Sequence, residues 1–271
     1  MGCEPLFAHP GDMIVCAYAG LAVTLAMALA WVVQRATGNA GWVDVFWTFS
    51  SGIALALVAL AAPGAVWRHI LLAALLVVWA GRLGGHVALR VMSSPEDTRY
   101  AMMRAAAGKR FQAQMLGLVA GQGPVTGLLA ISVYLAAAQP APHFRFADMA
   151  GLALLLLAFA GEALADQQLR AWQVKPENHG GICEDGLWAL CRHPNYLFEA
   201  VAWLAYPVIA LVPGQPITWL SVIAPVLMFL VLRYLTGVPP LEAAMRARRG
   251  DAYKAYQART NAMWPRRPGT N

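Results

Sequence analysis

Apolar residues fill most of this chain in long runs, and short polar clusters separate the runs. Seven runs are long enough to cross a membrane as helices, near 13–34, 43–62, 66–90, 113–138, 147–172, 196–212 and 216–238. Pro63-Gly64, Pro140-Ala141-Pro142 and Pro213-Gly214-Gln215-Pro216 punctuate short connections. The pattern predicts an all-α integral membrane bundle of about seven transmembrane helices. One bundle accounts for nearly everything, so residues 1–271 are expected to form a single membrane domain. The first run, Met13–Val33, is long for the core of a signal peptide, and no Lys or Arg precedes it. It reads as the first transmembrane helix.

Composition agrees with that picture. Of 271 residues, 59% are hydrophobic and only 13% are charged, against about 25% charged in a soluble domain. The net charge of +6 does not indicate nucleic acid, because no basic stripe is interleaved with exposed aromatics. In a membrane protein Lys and Arg gather in cytoplasmic loops instead. Here they fall at Arg35, then at Arg90, Arg99, Arg104, Lys109 and Arg110, then at Arg170, Lys175 and Arg192. The tail adds Arg246, Arg248, Arg249, Lys254, Arg259, Arg266 and Arg267. The other side has Arg68 and Arg145 alone. This asymmetry puts the N-terminus outside and the C-terminus in the cytoplasm, as an odd number of spans requires. Segments 96–112 and 241–259 mix basic residues with aromatic and Met side chains, and read as interfacial helices that touch anionic lipid or take part in binding. Cys3, Cys16, Cys183 and Cys191 form no disulfide framework.

A charge inside a span is costly and marks a functional hypothesis. Asp44 opens the second helix. Arg82, His86 and Arg90 lie four apart in the third, and Glu162, Asp166 and Arg170 lie four apart in the fifth. Glu199 starts the sixth, and Arg233 lies near the end of the seventh. Residues four apart share a helix face, so each triplet is a polar stripe. By the loop topology all these groups fall in the cytoplasmic half. They describe a polar cavity open to the cytosol under an apolar outer half. Internal ion pairing that only fixes helix packing is the alternative.

The richest stretch is Asp185–Glu199, with Arg192, His193, Asn195, Tyr196 and Glu199 within eight positions. Pro194 suits the first turn of a helix, where its missing N–H costs nothing. A helix start beside Arg192 suits an anion such as a pyrophosphate. Asn195 can read an amide or a ribose edge, and Tyr196 offers a ring and a hydroxyl. A bland interfacial anchor would use the same residue types. His179, Cys183, Cys191 and His193 match no common zinc spacing, so no metal site is expected. Gly121-Gln122-Gly123 lies within an apolar span, without the strand context of a dinucleotide-binding turn.

Gly186-Leu187-Trp188, Cys191-Arg192-His193-Pro194-Asn195-Tyr196 and Glu199 together resemble the C-terminal motif of the steroid 5-alpha-reductase-like membrane family, closest to its bacterial branch. Val43-Asp44 with Trp47, Glu96-Asp97 with Arg99-Tyr100, Ala165-Asp166 with Gln168, Leu241-Glu242 and the Tyr253/Tyr256 tail add to the resemblance. It runs from residue 43 to the tail, with its core in 160–260. The Arg-His-Pro-x-Tyr core is shared with sterol reductases and isoprenylcysteine carboxyl methyltransferases. The resemblance implies NADPH in a cytoplasmic-side cavity and a bacterial inner-membrane location. It implies a cofactor site of Asp166, Arg170, Arg192, His193, Asn195 and Tyr196, supported by Asn178, Asp185 and Glu199. It departs at the substrate end. The family's Gln-Glu pair and Tyr are replaced by Asp44 and Trp47 in helix 2 and by Arg82 and His86 in helix 3.

The expected function is therefore NADPH-dependent reduction of an activated C=C bond in a lipophilic substrate. Asp44, Arg82 and His86 are the candidate catalytic groups, for carbonyl polarisation and proton delivery. The expected partners are that substrate and membrane lipids. Two other readings stay open. One is a methyltransferase using S-adenosylmethionine, with Glu242 as its tail carboxylate. The other is a non-catalytic lipid-binding protein.

Overall fold

The structure, a computed structural model, describes residues 13–265. Cys3, Arg266 and Arg267 lie outside the described residues. Every regular element among these residues is helical. The long helices are α1 (Ile14–Thr37), α2 (Trp42–Ala61), α3 (Val66–Ser93), α5 (Phe111–Ala137), α6 (Phe146–Gln173) and α11 (Val238–Arg259). Shorter ones are α4 (Thr98–Ala107), α7 (Leu187–Leu190), α8 (Pro194–Trp203), α9 (Ala205–Ala210) and α10 (Ile223–Leu230). Six helical stretches among the described residues are long and apolar enough to cross a membrane: 14–37, 42–61, 66–93, 98–137, 146–173 and 216–259. The chain is an all-α, multi-pass integral membrane protein.

The first five expected spans match α1, α2, α3, α5 and α6 to within about three residues at each end. The sixth, expected at 196–212, is instead split into α8 and α9 at Leu204. Pro207 explains the break: it cannot donate to the carbonyl of Trp203, and its ring crowds that carbonyl. The seventh, expected at 216–238, changes geometry along its length. A 3₁₀ segment (Pro216–Val222) leads into α10, and a π-turn (Val231–Leu235) comes after it. The two interfacial segments are also helical, but each is interrupted at a glycine. Gly108 (φ 51°) ends α4, and Gly250 (φ 53°) kinks α11. Both adopt a left-handed backbone that favours glycine.

The chain packs into two compact units. One holds the described residues up to Met149 with Tyr206–Ala224; the other holds Ala150–Ala205 and the described residues from Pro225.

In the first unit α1 and α5 cross closely over small residues. A Cβ on Gly123 would stand 1.9 Å from Thr24 Oγ1 and 2.6 Å from the Gly20 carbonyl. Close backbone approach of this kind drives helix association where no hydrophobic effect operates. The same pair is tied at its other end by Gln34 Nε2, which donates to Gln112 Oε1 at 2.8 Å. At the start of α6, Asp148 binds two arginines. Arg68 donates Nε and Nη2 to it at 3.2 and 3.1 Å, and Arg145 donates Nε and Nη2 at 3.1 and 3.0 Å. Arg68 is 1% exposed and Asp148 3%. The two arginines expected on the outer side thus share one carboxylate, which balances one of their two charges, and donate to carbonyls of Gln139, Ala141 and Ile209.

Candidate functional site

The second unit builds its polar centre by pinning the tail to the Arg192-His193 segment. Cys191 ends α7 in extended conformation. The next two N–H groups then donate to the tail, Arg192 to Asn261 O and His193 to Ala262 O, both at 2.9 Å. Arg192 completes the clamp. Its Nε donates to Glu242 Oε1 at 2.7 Å, and its Nη1 donates to the carbonyls of Gln257 and Thr260. Glu242 is filled on both oxygens: Oε1 also faces His193 Nε2 at 3.0 Å, and Oε2 accepts from Gln257 Nε2 at 2.6 Å. Arg192, expected at a pyrophosphate, therefore joins α11 to the segment before α8.

That contact also sets the state of His193. A carboxylate only accepts, so Nε2 carries the hydrogen toward Glu242 and Nδ1 presents its lone pair. Burial holds the ring's pKa below the usual histidine value, against the pull of Glu242 and with the help of Arg192 and Arg233. The ring is 2% exposed, yet Nδ1 meets no hydrogen-bond partner. It stacks on Tyr196, with centroids 5.6 Å apart and planes at 16°. Nδ1 is thus a buried acceptor ready for a donor.

Pro194 does open α8, as its chemistry requires. The free N–H groups expected there are largely taken. Asn195 Oδ1 accepts from Tyr196 N–H at 3.0 Å, and the His193 carbonyl accepts from Leu197 N–H at 3.1 Å. Asn195 turns its other end to α6, where Nδ2 donates to Asp166 Oδ1 at 3.3 Å. Both residues are half-buried. The α6 stripe grades outward, from buried Glu162 through Asp166 to exposed Arg170, whose Nε donates to the Asp166 carbonyl. Gln168 on the same helix takes Leu187 N–H at 2.9 Å and fixes α7, and a Cβ on Gly186 (φ 57°) would strike the Gln168 amide at 2.5 Å.

The remaining expected residues make local contacts of their own. Asn178 donates Nδ2 to the Trp172 carbonyl at 2.8 Å and closes the end of α6. Asp185 is exposed at the start of α7, where its carbonyl takes Trp188 N–H. Glu199 is buried and accepts from Trp203 Nε1 at 3.0 Å one turn along α8. Cys183 and Cys191 are free buried thiols, and burial pushes the Cys191 pKa up to about 11. Two residues were left out of the expected cofactor set. Glu242 belongs to the family fragments and to the methyltransferase reading, and nothing in the sequence shows its contact with residues fifty positions earlier. Arg233 is one of the intramembrane charges expected to describe the polar cavity, without an assignment to the cofactor. It lies on the π-turn, half-buried, and has no acidic partner among the described residues, while its charge reaches His193.

The expected catalytic residues belong to the first unit. Asp44 is occupied on both oxygens: Arg99 Nη2 donates to Oδ2 at 2.9 Å and Tyr100 OH to Oδ1 at 2.7 Å. Arg99 also binds Asp97, which caps α4 by accepting Arg99 N–H at 2.9 Å. Burial would raise the Asp97 pKa, but the Arg99 contacts and the Arg90 charge outweigh it and hold it below the usual carboxylate value. Glu96 binds Arg104 and takes Ala40 N–H at 2.9 Å, fastening the α1–α2 connection. Sequence fragments fifty residues apart, Asp44 and Asp97–Tyr100, thus form one network. Arg82 and His86 are half-buried one turn apart on α3. Nearby in sequence, Trp79 meets Trp47 edge to face at 6.2 Å.

The chain belongs to the family described as "protein of unknown function (DUF1295)", whose family model matches residues 30–260. No curated protein and no solved structure matches it.

Proposed function

We propose that this DUF1295 protein is a membrane reductase of the steroid 5-alpha-reductase-like type, using NADPH to reduce an activated C=C bond in a lipophilic substrate. One observation carries the cofactor assignment. Around His193 the second unit offers a buried ring acceptor without a donor, a half-buried carboxylate–amide pair and a cation with no acidic partner among the described residues. Those groups fit a phosphorylated ribose cofactor. Asp166 suits ribose hydroxyls, Asn195 and His193 Nδ1 suit amide or hydroxyl donors, and Arg233 suits a phosphate. Tyr196 stacks on His193 and packs against the cluster of Ala200, Val238, Ala262 and Met263.

Bound there, NADPH would supply the hydride for addition to the β-carbon of an enone-like group. The chain's own residues do the rest. Arg192, Glu242 and Gln257 hold His193 and the start of α8 in place and keep the Nδ1 lone pair inward. Asp166 and Asn195 orient each other. Arg82 and His86 carry the proposed polarisation and proton delivery, by residue type and position on α3. Asp44, held by Arg99 and Tyr100, is assigned to orienting that network. In the orientation given by the positive-inside rule, the cofactor residues face the cytosol.

The S-adenosylmethionine reading shares Arg192-His193-Pro194 and Tyr196 with the reductase reading and adds Glu242 as its tail carboxylate. Both Glu242 oxygens are filled by Arg192, His193 and Gln257, which supports the reductase. The test is direct titration of the full-length protein in detergent with NADPH, NADH and S-adenosylmethionine. NADPH binding that weakens in Asn195→Ala supports the proposal. Binding of S-adenosylmethionine alone would overturn it, and binding of none of the three would favour a non-catalytic lipid-binding protein.

A further inference from the structure

A second charged feature, in the first unit, has no part in that function. Trp31 Nε1 on α1 donates to the Gln112 carbonyl on α5 at 3.3 Å, and Gln34 binds the Gln112 side chain. These bonds bring the last turn of α1 to the first turn of α5. Arg35 stands on one side of the junction and Lys109 and Arg110 on the other, all three exposed. None has an acidic partner among the described residues; the acids nearest in sequence, Asp44, Glu96 and Asp97, are taken by Arg99 and Arg104. The Arg35 guanidinium lies 4.6 Å from the centre of the Trp31 ring. An indole under a cation at a helix end is the arrangement expected at headgroup level.

Below the cations both helices turn an apolar face outward. On α1, Leu25, Leu29 and Val32 are more than half exposed. On α5, Leu116 is exposed, and a Cβ on Gly117 or Gly121 would meet nothing within 4 Å. The glycines leave a shallow open track along α5. Three unmatched cations above an apolar track complement a molecule with an anionic head and an acyl tail. A free phosphate would use the cations alone.

We propose that Arg35, Lys109 and Arg110 bind the phosphodiester headgroup of an anionic phospholipid, with its acyl chain along the α1–α5 face. Basic clusters between spans serve this purpose by adding attraction near the surface, at about fivefold in affinity for each cation.

The test is native mass spectrometry of the full-length protein in detergent, titrated with phosphatidylglycerol, phosphatidylcholine or free glycerol phosphate. The wild type should retain phosphatidylglycerol in preference to phosphatidylcholine and should not retain glycerol phosphate. Arg35→Gln/Lys109→Gln/Arg110→Gln should lose that preference, by on the order of a hundredfold. Lys109→Gln alone, at an exposed position, should lose about fivefold without disturbing the fold. Arg246→Gln with Lys175→Gln, removing exposed cations elsewhere, should retain it. An unchanged preference in the triple variant would overturn the site, and so would equal retention of glycerol phosphate. A triple variant that keeps its lipid preference but loses NADPH binding would also overturn it and assign the cations to the cofactor.

Discussion

Glu242 Oε1 receives Arg192 Nε at 2.7 Å and faces His193 Nε2 at 3.0 Å, so one carboxylate on α11 fixes two adjacent residues ahead of α8. Removing it leaves a buried guanidinium without its carboxylate, held only by neutral partners, the Gln257 and Thr260 carbonyls and Tyr253. Glu242→Ala should destabilise the protein by about 3–5 kcal/mol, the usual cost of orphaning one member of a buried pair. Thermal unfolding in detergent checks this, and Arg192→Met in the same chain should recover part of the loss.

Asn195 and Asp166 meet at 3.3 Å on half-buried surface. Their bond is exposed enough to contribute little to folding. Asn195→Ala should weaken NADPH binding roughly five- to tenfold, as loss of one or two hydrogen bonds does, and should leave the melting temperature nearly unchanged. A large fall in melting temperature with unaltered NADPH affinity would make Asn195 structural.

The folded state prefers His193 neutral, since burial outweighs Glu242 and holds its pKa under 6.5. With the folded value depressed, this contribution to stability is complete above the ordinary value and is lost as pH falls through the folded one. Melting temperature measured from neutral pH downward should therefore decline below about pH 6.5. His193→Gln should lack that component. Asp97 is depressed too, but its contribution fades only below its ordinary value of 3.8, so the two windows separate.

Asp44 distinguishes chemistry from architecture. Asp44→Asn keeps an acceptor for Tyr100 OH but loses the charge opposite Arg99, which keeps Asp97. A stability loss of about 1–3 kcal/mol is expected, because the network still holds most of its bonds. Once a substrate is found, turnover reads the other role. A fall in kcat much larger than the stability loss explains would place Asp44 in the chemistry.

The α1–α5 crossing admits no side chain at Gly123, where a Cβ would stand 1.9 Å from Thr24 Oγ1 and 2.6 Å from a backbone carbonyl. Gly123→Ala should destabilise by at least about 1–3 kcal/mol through overpacking. Gly117→Ala, on an open face of the same helix, should be neutral by the same unfolding measurement.

Five of the spans were legible because an apolar run long enough to cross a membrane has few alternatives. The features that stayed hidden were set by local geometry or by distant pairing. Pro207 marks a break only when its helix is known to start at Pro194. The π-turn at 231–235 has no composition of its own. Arg192 looked like a phosphate claw because its partner is fifty residues away, and sequence spacing does not show such a contact. Arg68 is hidden for the same reason, since Asp148 lies eighty residues on; Arg145 is only three residues from Asp148, and the pair could have been read from that spacing. Asp44 with Asp97–Tyr100 is the opposite case: both fragments stand out in the sequence, and the fold unites them in one hydrogen-bonded network.

The π-turn makes the chain before α11 sensitive to length. Thr236 N–H reaches back five residues to the Val231 carbonyl at 2.9 Å, one residue more than an α-turn encloses. Gly237 closes against it, and a Cβ there would lie 2.4 Å from the Leu232 carbonyl. Deleting one residue between Val231 and Leu235 would remove the one that the π-turn takes up, and Gly237 and α11 would be drawn back by one helical rise, roughly 1.5 Å. Glu242 would then be pulled off Arg192. Among related sequences, one-residue gaps should therefore be tolerated in the loops but not here, which makes this turn a natural landmark for aligning them.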